Sequence, residues 1–316
     1  MEKEEGIFKT IHINSVKELF ELLSPWGEYK HLLSGFIFRG EDSSLYQLIP
    51  SALRKNLQDI LWRLSGLGIP INDQWEYEKF QRDAEYSALR NFYKISDDKG
   101  LNITEINRIR SNINNVFGIN DIDDRHVWLP KDILELAGLA QHYGIPTRLL
   151  DWSYDYKTAL YFASKGFLSK ESPGDKKEIV LWALNASHIE FLKHTVAMLP
   201  LYIIKPRYAG NSNLQAQSGV FTHWEDSRYC GFETIISNKI PMVERIPLNQ
   251  LLEKYTEKSF LDSDKKPMKI LFKFIIPSAY AKELLKILIT DGYNGSKLFP
   301  GYDGVVKYMN EKSLII

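Results

Sequence analysis

Gln141-His-Tyr-Gly-Ile-Pro-Thr-Arg-Leu-Leu-Asp-Trp-Ser153, running into Tyr156-Lys-Thr-Ala-Leu-Tyr-Phe-Ala163, is the stretch on which the fold turns. Gly144 and Pro146 end a helix over residues 130–143 that has Pro130 near its first turn. Residues 147–152 then read as a strand, and residues 156–164 as the helix that follows it. The strand delivers Asp151, Trp152 and Ser153 to the start of that helix. Such a junction gathers polar side chains beside an aromatic, as small-molecule pockets often do.

Upstream, residues 50–140 are helical in pattern. Tyr77, Phe80, Ala84, Ala88 and Phe92 recur at helix spacing within residues 75–93. Residues 96–100 and 118–125 are polar and predict loops. Before that block, Ser15 with Glu18 three positions later opens an amphipathic helix with a capping box, and residues 35–40 predict a short strand. Downstream, residues 178–184, 201–204, 220–224, 234–236 and 269–276 predict strands, and residues 278–288 a helix. Residues 171–177 and 262–267 read as exposed connections. No internal repeat is visible. The pattern predicts an α+β fold in which residues 1–316 form one domain. Its β-rich core carries a helical insertion, at about residues 50–140, after the first core strand.

With 44 % hydrophobic and 25 % charged residues, the chain has globular composition and is long enough to bury a full core without disulfides or a structural metal. Forty basic residues against forty acidic ones give no overall field for a polyanion, although a local basic groove remains open. One cysteine, Cys230, excludes a disulfide framework and reads as a bystander thiol. Seven scattered histidines without cysteine partners argue against zinc. The charged N-terminus has no apolar signal-peptide core, and the apolar runs are too short to span a bilayer. A cytoplasmic protein without membrane contact is the expectation. Dinucleotide-binding glycine fingerprints, a P-loop, a nucleophile elbow and the kinase motifs are all absent.

Three segments carry possible chemistry. Phe36-Ile-Phe-Arg-Gly-Glu41 places Arg39 at a strand end, where Gly40 permits close approach of a ligand backbone and the guanidinium suits a bidentate grip on phosphate. The competing reading pairs Arg39 with Glu41. The segment from Gln141 concentrates His142, Tyr143, Arg148, Asp151, Trp152 and Ser153 within a dozen residues. Against a site stand a structural His142 and an Arg148–Asp151 pair. In Asn213-Leu-Gln-Ala-Gln-Ser-Gly-Val-Phe-Thr222, Gln215 and Gln217 would share one strand face at period two, or simply belong to a half-exposed strand.

Phe38-Arg39-Gly40, His142 through Ser153, Ala159-Leu-Tyr-Phe-Ala163 and Gln217-Ser-Gly-Val-Phe221 together resemble the FRG domain of bacteria and phages, in family order, over about residues 34–225. The order of motifs is also similar to the ADP-ribosyltransferase superfamily. There an aromatic-Arg-Gly strand holds NAD, a Ser/Thr-bearing strand runs into a helix, and a later strand supplies an acid.

That resemblance implies an ADP-ribosyltransferase-like β core with NAD as substrate and no metal. Arg39, Asp151 and Gln217 would be catalytic, and Arg39, Gly40, His142, Tyr143, Ser153 and Tyr161 would bind the NAD. Gln217 falls near the usual catalytic glutamate, a departure that matters because breaking the nicotinamide–ribose bond develops a cation that a carboxylate stabilises. Glutamine hydrogen-bonds a hydroxyl but carries no charge. Asp151, Glu225 or Glu233 would then take the role, unless Gln217 suffices. The implied activity is that of a toxin or antiviral defence effector modifying RNA, DNA or protein, with an antitoxin or chaperone partner. Trp128 or Trp152 would stack on a nucleic-acid base. Two other readings remain: a non-catalytic nucleotide- or protein-binding module, and a nuclease or hydrolase using His142, Asp151 and Glu41.

Overall fold

A computed structural model describes residues 3–68, 80–114, 128–170, 177–195, 199–225, 245–256 and 268–315. Its strands are β1 (Lys3–Glu5), β2 (Phe8–His12), β3 (Phe36–Glu41), β4 (Leu149–Ser153), β5 (Glu178–Asn185), β6 (Leu201–Ile204), β7 (Gly219–Trp224) and β8 (Leu271–Pro277). They form one sheet in the order β1-β2-β8-β5-β3-β4-β7-β6. Neighbours are antiparallel throughout, except that β2 and β8 run parallel. The fold is α+β. β3 and β5 pair over six positions, whereas β3 and β4 pair only at Phe38 and Ser153. The sheet therefore opens beyond that single contact.

Alternation at period two sends successive residues of β3 to different cores. Phe36 and Phe38 join one with residues of α1 (Val16–Leu22), α6 (Tyr156–Leu168) and α10 (Ala281–Thr290). Ile37 joins a second, with Trp152, Trp182 and residues of α7 (Ala186–Thr195) and α9 (Leu248–Thr256). Between β3 and β4 come α2 (Gln58–Ser65), α3 (Gln81–Asp98), α4 (Asn107–Ser111) and α5 (Leu134–His142). A third core joins α3 and α5 to Leu149 of β4 and Phe221 of β7. Short α8 (Ser212–Ala216) precedes β7, and α11 (Gly295–Leu298) and α12 (Tyr302–Ile315) end the described chain.

Several expectations need correction. β1 and β2 precede the Phe-Arg-Gly strand, so the helical segment follows the third strand rather than the first. β2 finds its partner β8 more than 250 residues away in the chain, and no local pattern announces that pairing. Helix α3 continues through Ser96 to Asp98 and ends at Gly100, whose φ of 67° suits glycine. Gln215 and Gln217 do not lie on a strand. Asn211 accepts a hydrogen bond from the Leu214 backbone N–H and so caps α8, and β7 starts only at Gly219. The loops at 118–125 and 262–267, residues 171–176, the strand at 234–236, Tyr77, Cys230 and Glu233 lie outside the described residues.

Asp83, on α3, gives a stability test. Burial pushes its carboxyl from an ordinary 3.8 up to about 6. A folded pKa above the unfolded one means that the fold favours the protonated form. Stability contributed by Asp83 is thus present below about pH 4 and lost as pH rises through about 6. Asp83→Asn is expected to stabilise the protein by about 1–2 kcal/mol at pH 7 and to bring no gain near pH 4. Urea unfolding at the two pH values checks this, and an equal effect at both would refute it.

Candidate functional site

Arg39 sits where β3 and β4 separate. Its Nε donates to Glu41 Oε1 at 2.6 Å, and its Nη1 donates to the Asp151 backbone oxygen at 2.9 Å. The Asp151 carboxylate lies 3.7 Å from the same Nη1. Burial works against the guanidinium charge, but Glu41 and Asp151 outweigh it and raise the Arg39 pKa further. Arg39 is thus held charged and fixed in orientation at the gap between the strands. The expected Arg39–Glu41 pair exists, and it coexists with the contact to β4.

The gap is one wall of a cavity of about 250 Å³. Arg39, Arg54, Gln141 and Asp151 supply its polar side, and Ile60 and Pro146 are among its apolar lining. Gln141, in the last turn of α5, donates to Asp151 Oδ1 at 2.6 Å and accepts from the Thr147 hydroxyl. These bonds aim a carboxylate that is 60 % exposed. Two arginines against Glu41 and Asp151 leave the formal charge of this cluster balanced, since +2 meets −2. The cavity therefore offers a ligand directed hydrogen bonds rather than a net field. Arg54 was not singled out from the sequence, because Ser51-Ala-Leu-Arg54 matches no motif.

The other expected site residues are distributed as follows. His142 ends α5, half-buried, with its pKa lowered by burial and partly restored by Asp151. The neighbouring Tyr143 is 64 % exposed and stacks on Phe92. Ser153 is buried; its hydroxyl donates to the Gln217 backbone oxygen at 2.8 Å and accepts from Asp155 N–H at 2.9 Å. Gln217 gives its side-chain amide to the Leu298 carbonyl at 3.0 Å. Register places Gln217 beyond the Ser153 end of β4, while the cavity opens at the Leu149–Asp151 end. Arg39 and Asp151 line one cleft; Ser153 and Gln217 do not line it.

Three assignments change. Tyr161 is fully buried, donates its hydroxyl to Glu311 of α12, and has its pKa raised by burial and by that carboxylate, so it ties helices together. Gly40 meets protein, not ligand: a Cβ there would lie 1.8 Å from the Ala159 carbonyl oxygen. Trp128 and Trp152 are both buried and offer no face for stacking a base. Of the alternative acids, Glu225 lies just past β7 beside Tyr202, away from the cavity lining. Arg148 does not pair with Asp151; it is buried against Glu85 at 2.7 Å. Of His142, Asp151 and Glu41, Glu41 is engaged by Arg39, and Asp151 alone of the three lines the cavity.

Among the described residues, no group of three or more His, Cys, Asp or Glu side chains could hold a metal ion. Among the same residues, no helix is long and apolar enough to cross a membrane. No curated protein and no solved structure matches the chain. The model of the FRG domain matches residues 34–172, which include β3, β4, α6 and the helices between β3 and β4 but stop short of Gln217. Over residues 34–172, then, the chain is similar to the FRG domain.

Proposed function

We propose that this protein is an ADP-ribosyltransferase-like enzyme that takes NAD as substrate in the Arg39–Asp151 cleft and modifies a macromolecule. The observation that carries the reading is the placement of a charged, oriented Arg39 beside an exposed carboxylate where the sheet opens. Chain order supports it: β3 carries Arg39, β4 carries Ser153 and runs into α6, and β7 comes later, as in the order of motifs of the resembled superfamily. Asp151, rather than Gln217, supplies negative charge to the cation that develops on the ribose. The ribose–nicotinamide C–N bond breaks with both electrons leaving on nicotinamide. A bond forms from the same ribose carbon to an acceptor nucleophile, whose proton passes to water.

The acceptor would be an RNA or DNA base in preference to protein, reached through a local groove. As a toxin or defence effector working in the cytoplasm, such an enzyme would require a neutralising antitoxin or chaperone partner. A second reading, a non-catalytic nucleotide- or protein-binding module, is favoured by one observation: the amide of Gln217 is already taken by Leu298.

Labelled NAD incubated with separate RNA, DNA and protein pools separates the two. Transfer to one pool is expected, falling by about 10²-fold or more in Asp151→Asn. In Arg39→Ala, NAD binding should weaken by about tenfold or more. NAD binding that depends on Arg39 without transfer would establish the binding module. Neither binding nor transfer would sink both nucleotide readings.

A further inference from the structure

We propose that Arg54 is a second phosphate-binding residue, and that Arg39 and Arg54 together clamp the phosphates of a nucleoside diphosphate unit whose base or sugar rests on the apolar side of the cleft. This rests on the nucleotide reading above and names the part of the ligand that the cleft takes.

The local backbone holds Arg54 in place. It is an extended residue, with φ −82° and ψ 125°, between two single-turn helices at Ser51–Leu53 and Lys55–Leu57. The first turn is bonded to the chain entering β4: Ala52 N–H donates to the Thr147 carbonyl at 3.0 Å, and Ser51 Oγ accepts from Thr147 N–H at 3.0 Å. Arg54 Nε donates to the Ile49 carbonyl at 2.8 Å. Among the described residues its Nη1 and Nη2 make no hydrogen bond, and neither does Nη2 of Arg39. Arg39 and Arg54 both line the same cavity.

Two like charges brought together in a half-buried cleft oppose each other, and burial together with the Arg39 charge lowers the Arg54 pKa. Glu41 and Asp151 offset part of that repulsion, and an anion reaching both arginines offsets more of it and satisfies the open N–H groups, with the bidentate geometry that guanidinium offers phosphate. Leu57, Ile60, Ile145 and Pro146 give the cavity its apolar side, and Ser51, whose hydroxyl is bonded to Thr147, also lines it. At about 250 Å³ the cavity holds part of a dinucleotide, not all of it.

Calorimetric titration with ADP and with adenosine tests the clamp on the wild type, Arg54→Ala and Arg54→Lys. Wild type is expected to bind ADP about tenfold or more tighter than adenosine. In Arg54→Ala that preference should shrink about tenfold while adenosine affinity stays within about twofold, which also reports an intact fold. Arg54→Lys should recover only part of it, because an ammonium lacks the planar fork. Unchanged ADP affinity in Arg54→Ala would overturn the clamp, as would equal loss of ADP and adenosine, or a wild type without preference for ADP. Running the NAD transfer assay on the same variants separates the two proposals. An Arg54-dependent ADP preference without transfer keeps the clamp and removes the transferase; transfer indifferent to Arg54 does the reverse.

Discussion

Gly40→Ala is expected to cost about 3 kcal/mol or more of folding stability, among the largest effects of any single methyl group in this chain. Helix α6 crosses β3 at Gly40 so closely that the added Cβ would lie 1.8 Å from the Ala159 carbonyl oxygen and 3.1 Å from the Ala163 Cβ. The first obstacle is backbone, which cannot rotate away as a side chain can. Relief would require α6 to move off the sheet, opening the core shared by Phe38, Leu160 and Leu181. One turn further on, Gly166 packs on Asp42 in the same way, with 3.1 Å from a built Cβ to the carboxylate. Ala159, Ala163 and Gly166 thus form the small-residue stripe that lets the helix lie against β3. The glycine of the Phe-Arg-Gly motif and the alanines of the Ala-Leu-Tyr-Phe-Ala motif are two halves of one contact. Urea unfolding of Gly40→Ala beside Arg39→Ala checks this: a midpoint for Gly40→Ala as high as that of Arg39→Ala would refute it.

Arg148→Ala is expected to destabilise the protein by about 3–5 kcal/mol, because it strands a charge in the interior. Arg148 and Glu85 are 4 % and 3 % exposed, and Arg148 Nε lies 2.7 and 3.0 Å from the two Glu85 oxygens. Glu85 also accepts from Gln81 at 2.7 Å and from the Trp128 indole at 2.5 Å. The cluster joins α3 to the entry of β4, and so fixes the helical segment to the strand that carries Asp151. Removing the arginine leaves a buried carboxylate with its hydrogen bonds but no counter-charge. The double replacement Glu85→Leu with Arg148→Met should be less harmful than Arg148→Ala alone, since it removes both charges while keeping volume. A double variant as unstable as the sum of the two single ones would show that the residues act independently.

Much of the sheet is legible because its signals are local. Residues 178–184 and 201–204 are apolar runs bounded by turn residues, and they appear as β5 and β6 almost unchanged. Ser15 and Glu18 form the cap that their spacing predicts, with the Ser15 hydroxyl accepting from Glu18 N–H. The error at Gln217 was also local: Asn211 three residues before Leu214 is a helix cap, and it outweighs an alternation of two amides. Tyr161 belongs to a different class. Nothing within α6 tells a buried tyrosine from a ligand-binding one; the distinction comes from Glu311, 150 residues further along.

Taken alone, the sequence determined the α+β class, most strands and helices, the Phe-Arg-Gly and Asp-Trp-Ser segments, and the absence of the common nucleotide-binding fingerprints. These follow from periodicity, capping and turn chemistry, which act over a few residues. The tertiary structure alone decided which charged groups share a cleft. Arg39 meets Asp151 because β3 and β4 pair at one position and then part, Arg54 joins them because Thr147 anchors its turn, and Gln217 is turned toward Leu298. Each of these contacts joins residues about 80 to 110 apart in the chain, beyond the reach of any pattern read along it.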